Sequence, residues 1–163
     1  MVDDVLNKYG ALIVAELRDE IKNKPLPRRN GSSYVANASG KLEKGLKYTV
    51  EDGVLKVWAD SYIYYLVFGR GPTKVTSGTG IVRKRIREWI DAKGITPDGI
   101  TKDSLAFLIA RKIHREGTLL YPAGSDLISS IVTQKLIDDI KSDLFSTFAD
   151  VVKTSLDQLK KAA

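Results

Sequence analysis

The sequence predicts an α+β fold: a small antiparallel sheet with an N-terminal helix, central helices and a long C-terminal helix, in a single domain over 1–163. Three observations carry this. Leu46, Tyr48 and Val50 alternate with Lys47 and Thr49, and Leu55, Val57 and Ala59 alternate with Lys56 and Trp58, around Glu51-Asp52-Gly53. Period-two runs joined by Asp-Gly describe a hairpin, because both turn residues tolerate positive φ. Apolar residues recur at three- and four-residue spacing before and after it. The stretch from Asp126 to the end holds no glycine or proline.

In chain order, 3–22 is predicted as a helix whose face is Val5, Leu6, Tyr9, Leu12, Ile13, Leu17 and Ile21. Asp3 and Asp4 suit its positive end, and Lys22 and Lys24 its negative end. Gly10 inside it costs about 1 kcal/mol relative to alanine and allows a bend. Pro25 and Pro27 stop that helix, and 24–40 reads as an exposed loop. A short helical turn at Ser39–Lys44 precedes the hairpin, and the core is expected over about 40–118. Trp58 lies on the opposite face of its strand from Leu55 and Val57, so the sheet is covered on both sides or Trp58 meets a partner.

The segment Tyr62-Ile63-Tyr64-Tyr65-Leu66-Val67-Phe68 reads as a short helix capped by Asp60 or Ser61, with a buried strand as the competing reading. So much apolar surface requires cover, in the core or under a partner. The core reading anchors Tyr62, Tyr65 and Phe68 on the hairpin. Gly69-Arg70-Gly71-Pro72 then breaks the segment, and a loop reaches Gly80. Helices follow over 82–93, with a stripe of Val82, Ile86, Trp89 and Ile90, and over 102–116, with an inner face of Leu105, Leu108, Ile109 and Ile113. Gly94 and Gly117 end them. After a loop at 118–125, helical spacing runs over 126–161. Continuous, that helix would be about 50 Å long, so it bends back or packs on another subunit.

Composition removes several classes. A chain 43% hydrophobic and 28% charged is ordinary for a globular protein. No apolar run approaches the roughly 20 residues that span a bilayer, so no membrane partner is expected. The opening MVDDVLNKYG is acidic where a signal peptide is basic. With no cysteine and one histidine, neither disulfides nor thiolate or multi-histidine metal sites can form. A net charge of +6 points to a polyanionic or acidic neighbour.

The motifs do not build an enzyme. Gly69–Lys74 fails the phosphate-loop spacing, and Lys74 occupies the last glycine position of a dinucleotide fingerprint. His114 sits among Arg111, Lys112 and Arg115 in the last turn of a helix, where cations suit exposed carbonyls. No acid, base and nucleophile gather around it. No catalytic residue, metal or cofactor is expected. Arg28, Arg29, Arg83 and Arg85 are the candidate phosphate contacts, without sequence preference. The two helices around Gly94–Gly99 also raise a basic helix-turn-helix regulator, although their connection exceeds the usual three- to four-residue turn.

A resemblance enters at the aromatic segment. Ser39-Gly40-Lys41-Leu42 before a strand, the hairpin, and Tyr62–Pro72 in the pattern Tyr-x-x-Tyr-hydrophobic-x-Phe-Gly-x-Gly resemble the neck, head–tail joining and tail-completion proteins of tailed bacteriophages. IREWIDAKGI followed by LAFLIARKIHREGT resembles a subgroup with an Arg-rich helix after the loop. The likeness covers roughly 40–118. Val67 stands where the family usually has an acidic residue, and the C-terminal helix exceeds its common core. The resemblance implies a non-catalytic virion protein, assembled in the host cytoplasm, that forms an adaptor ring around the genome channel. Its partners would be itself, neighbouring portal, connector or tail proteins, and at most non-specific DNA. The expected contact residues are Tyr62, Tyr65, Phe68, Gly69, Arg70, Gly71 and Pro72, with Leu144, Phe148, Val151 and Leu156 of the C-terminal helix. The loops 24–40 and 70–80 would order against neighbours.

Overall fold

A computed structural model describes residues 2–36, 38–73 and 80–162. The architecture is α+β. α1 (Val2–Asn23) buries Leu6, Tyr9, Gly10, Ile13, Val14, Leu17 and Ile21 along one face. Val14 takes the inward place expected of Leu12, which is exposed. β3 (Lys47–Glu51) and β4 (Val54–Trp58) form the expected hairpin, in register Glu51↔Val54 to Lys47↔Trp58. Asp52 and Gly53 make the turn with φ of 52° and 72°, the mirror-image geometry that follows strand twist. Both strands lie on α1. Trp58 stays exposed on the other face, where its indole N–H donates to Thr49 Oγ1 at 3.1 Å.

The segment expected as a loop over 24–40 forms a second hairpin instead. β1 (Pro25–Pro27) pairs antiparallel with β2 (Ser33–Val35). Prolines read as breakers, but in a two-stranded edge pairing their missing N–H groups need no partner. Leu26, between them, is buried in the core, which fixes the hairpin to the molecule. α2 (Lys41–Gly45) then leads into β3. The expected contribution of the loop to partner binding by ordering does not fit these residues, which are already paired.

α3 (Tyr62–Phe68) is helical, with Asp60 Oδ1 accepting the Tyr62 N–H at 2.9 Å, so Asp60 rather than Ser61 caps it. α4 (Ile81–Ala92) and α5 (Lys102–Glu116) lie alongside each other, antiparallel. Arg87 reaches Asp103 at 3.4 Å near one end, and Arg83 covers the Phe107 ring at 5.8 Å towards the other. The two helices and the connection between them form a helical hairpin. Ile90, Ala106 and Ala110 are its buried residues, the small side chains allowing close approach. Leu108 is exposed, contrary to its expected inward position. Thr101 Oγ1 caps α5 by accepting the Ser104 N–H, and Gly117 ends it.

α6 (Gln134–Ala162) begins eight residues later than the expected start at 126. The residues before it make turns that bury Leu127 and Ile131. These two, with Leu120, Leu66, Leu46, Leu26 and the α1 face, form the core, which therefore reaches well outside 40–118. α6 packs antiparallel on α1, where Lys8 Nζ and Tyr9 Oη both donate to Asp143 Oδ2 at 2.7 and 3.0 Å. The Lys8 bond, then the Tyr9 bond, holds the Asp143 carboxyl below its ordinary range.

The chain between α5 and α6 closes over the end of α3. Ser125 donates its backbone N–H to Val67 O at 2.8 Å and its hydroxyl to Leu66 O at 2.6 Å, satisfying carbonyls that a helix end leaves open. The approach is close enough that a Cβ on Gly124 would overlap Val67 O. Gly124 also has φ of 71°, as Gly53 has 72°, but a Cβ on Gly53 would meet nothing within 4 Å. Gly53→Ala is therefore expected to cost about 1–2 kcal/mol for left-handed backbone alone. Gly124→Ala should cost clearly more, because the backbone contacts behind α3 must open as well. Urea unfolding of the two variants checks this, and equal losses would show that the closing segment yields freely.

Candidate interaction surfaces

Seven residues make α3 too short to bury its whole circumference. Leu66 is 1% exposed and enters the core, with Ile63 and Val67 packed beside it. The aromatic rings take the outer side: Tyr64 is 59% and Phe68 56% exposed, and Tyr62 and Tyr65 are exposed too. The core placement of Tyr62, Tyr65 and Phe68 is thus corrected. At 100° per residue, positions 62, 64, 65 and 68 share the outer side of the helix, while 63, 66 and 67 share the inner arc. The outer rings hold each other. Tyr64 meets Tyr65 edge to face at 5.8 Å and Phe68 at 4.8 Å. Beside them, burial first and then the Tyr62 hydroxyl push the Tyr34 hydroxyl up to about 12, against the opposing effect of Arg28.

The exit from α3 is fastened to the end of α5. Arg70 N–H donates to Thr118 Oγ1 at 2.9 Å, and Thr118 N–H donates back to Arg70 O at 2.8 Å. Arg70 Nη2 donates to Thr73 Oγ1, which is hydrogen-bonded to His114 Nδ1 at 2.6 Å. A Cβ on Gly69 would approach Tyr121 N to 2.6 Å, and one on Gly71 would touch the Tyr121 ring. Gly69, Arg70 and Gly71 are therefore engaged within the chain at this junction, while Pro72 is exposed. His114 has a structural partner, and Arg70 Nη1 is buried with no hydrogen-bond partner. Residues 74–79 of the expected partner-ordered loop lie outside the described residues.

α6 carries the second apolar surface. Leu144 and Val151 are half-buried on the side nearest α1, whereas Phe145 is 78% and Phe148 65% exposed. Val152, Leu156 and Leu159 continue that exposed stripe. At 100° per residue these seven side chains fall within one face, and Lys153, Asp157 and Lys161 occupy the other. No residue of α6 is fully buried among those described.

The expected phosphate contacts separate. Arg29 donates to Glu116 Oε2 and to Glu116 O, so it ties β1–β2 to α5. Arg28 lies over the Tyr34 ring at 4.3 Å. Arg85 pairs with Glu88 at 3.1 Å, and Arg83 faces Phe107. Arg83 stands over Phe107, one helical turn before Arg111 on α5. Between 80 and 117 there are nine lysines and arginines against five carboxylates. Arg87 and Lys102 both engage Asp91; the Lys102 bond, then Arg87, lowers its carboxyl from the ordinary value.

No helix among the described residues is long and apolar enough to cross a membrane. No family model, curated protein or solved structure matches the chain.

The two sides of α3 are separable by substitution. Leu66→Ala is expected to cost about 2–5 kcal/mol through the cavity it leaves. Phe68→Ala should cost less than about 1 kcal/mol, since its ring gives up little buried contact. Thermal unfolding measures both. A large loss from Phe68→Ala would return that ring to the core.

Proposed function

We propose that this protein is a structural subunit of a tailed-bacteriophage virion, an adaptor in the neck that joins head and tail as a ring around the genome channel. The observation that carries the reading is the pair of large apolar surfaces on α3 and α6, both open in the single chain. Exposed aromatics clustered this closely characterise protein contacts rather than solvent-facing surface. They coincide with the Tyr62–Pro72 segment on which the resemblance to neck and tail-completion proteins rests. Such a protein works by shape and by holding neighbours, with no bond made or broken. Its partners are further copies of itself and the portal, connector or tail proteins on either side, with assembly in the host cytoplasm.

Immunogold labelling of tailed particles tests the location; label on the capsid shell, or none, would overturn it. Truncation after Asp143 tests the means. It keeps the Lys8 and Tyr9 bonds to Asp143 and removes no fully buried side chain among those described. The truncated chain is expected to keep its far-ultraviolet spectrum per remaining helix and its cooperative unfolding, while failing to enter particles. Normal incorporation would show that the distal part of α6 is dispensable for assembly.

A second reading, nucleic-acid contact, is favoured by the nine lysines and arginines against five carboxylates on the helical hairpin between 80 and 117. Four phosphate contacts give a slope of log affinity against log salt of roughly −3 to −4 on duplex DNA. Lys84→Glu with Arg111→Glu should roughly halve that slope, with no change in sequence preference. A slope untouched by the double substitution would remove this surface from DNA contact.

A further inference from the structure

We infer that the exposed stripe of α6 docks on the aromatic face of α3 of a second copy of this chain, a head-to-tail contact between two different surfaces. The inference rests on the ring reading above and names the surfaces that would close it.

Both surfaces are built before any partner arrives. The α3 rings are held by their mutual contacts at 4.8 and 5.8 Å, so little side-chain freedom remains to be lost on binding. On α6, Phe145, Phe148, Val152, Leu156 and Leu159 stand on a helix whose inner edge is already fixed to α1. The docking stripe thus continues an existing helix–helix contact past its end. An aromatic side chain buries about 150–250 Å² when fully covered. The exposed parts of four α3 rings and five α6 side chains therefore sum to roughly 1,000 Å², the floor for a specific contact.

Pairing α6 with α6 of a second copy would cover a similar area. It would leave four aromatic rings of α3 bare on every subunit. The head-to-tail contact covers both surfaces at once, and each copy both gives and receives. Contacts of this kind close into rings when the rotation permits, whereas self-complementary ones stop at a dimer. The chemistry matches as well. Lys160 borders the α6 stripe, and the α3 surface offers three tyrosines. Cations over aromatic rings already recur within this chain, with Lys8 over Tyr9, Arg28 over Tyr34 and Arg83 over Phe107.

The absence of cysteine from the sequence makes a direct test available. Full-length Phe148→Cys and Tyr64→Cys are purified separately, mixed in equal amounts and oxidised, and the disulfide-linked peptides are identified by mass spectrometry. Both positions are exposed, so each variant should fold. The mixed disulfide, joining position 148 of one copy to position 64 of another, is expected to exceed either self-disulfide several-fold. Dominance of the disulfide between two copies of Phe148→Cys would replace the proposal with α6 self-pairing. No disulfide in any mixture, with the unmodified chain sedimenting as a monomer at its highest soluble concentration, would also overturn it. The mixed disulfide combined with absence of the protein from tailed particles would leave this contact standing and sink the neck reading instead.

Discussion

Gly10 lies in the middle of α1 with the Tyr48 ring and a Leu55 methyl where its side chain would be, the methyl 2.8 Å from an added Cβ and the ring closer still. A glycine inside a helix costs about 1 kcal/mol of intrinsic propensity. Here it lets the β3–β4 hairpin settle directly against the helix. Below that contact, Ile13, Val14, Leu17 and Ile21 continue the same face under Leu26, Leu46, Leu66, Leu127 and Ile131. Later parts of the chain enter the core by adding a few side chains, mostly aliphatic, around this face. The single face of α1 is thus the constraint: it is narrow, it is filled early, and what arrives afterwards must leave apolar groups outside.

That limit explains the distribution of the aromatic residues. α3 contributes Leu66 and the inner parts of Ile63 and Val67, and its carbonyl ends are then closed by Ser125. Nothing remains of the α1 face for Tyr64 or Phe68 to cover. α6 reaches α1 through its first half and is fastened at Asp143. A helix of 29 residues is about 43 Å long, and α1, with 22, is about 33 Å, so the distal turns run beyond their support. Exposure of Phe145, Phe148 and Leu159 follows from lengths and from the filled face, without strain in either helix.

What is legible in the sequence is local. The Asp52-Gly53 turn, the Asp60 and Thr101 caps and the Gly94 and Gly117 stops each depend on a few adjacent residues, and each lies where those residues place it. The β1–β2 hairpin is hidden because its evidence is one aliphatic residue between two prolines; only the distant core gives Leu26 its meaning. The start of α6 is misplaced because the turn at 127–131 sets Leu127 and Ile131 inward at helical spacing without a continuous helix. Hydrophobicity alone likewise does not distinguish a ring covered by α1 from one held outward, since Leu66 and Phe68 are separated by one residue on a seven-residue helix.

The attachment of the α4–α5 hairpin separates two kinds of surface on the molecule. Its buried residues, Ile90, Ala106 and Ala110, belong to none of the core around α1. It is joined to the rest through Arg29–Glu116, the reciprocal Arg70–Thr118 bonds and the Thr73–His114 bond, all polar and all at one end of α5. Polar bonds fix direction well but add little stability where water competes, while apolar burial holds α3 and α6 to the main body. The aromatic face of α3 and the stem of α6 are attached differently, because Leu66 lies in the core around α1 and Leu136 packs against it.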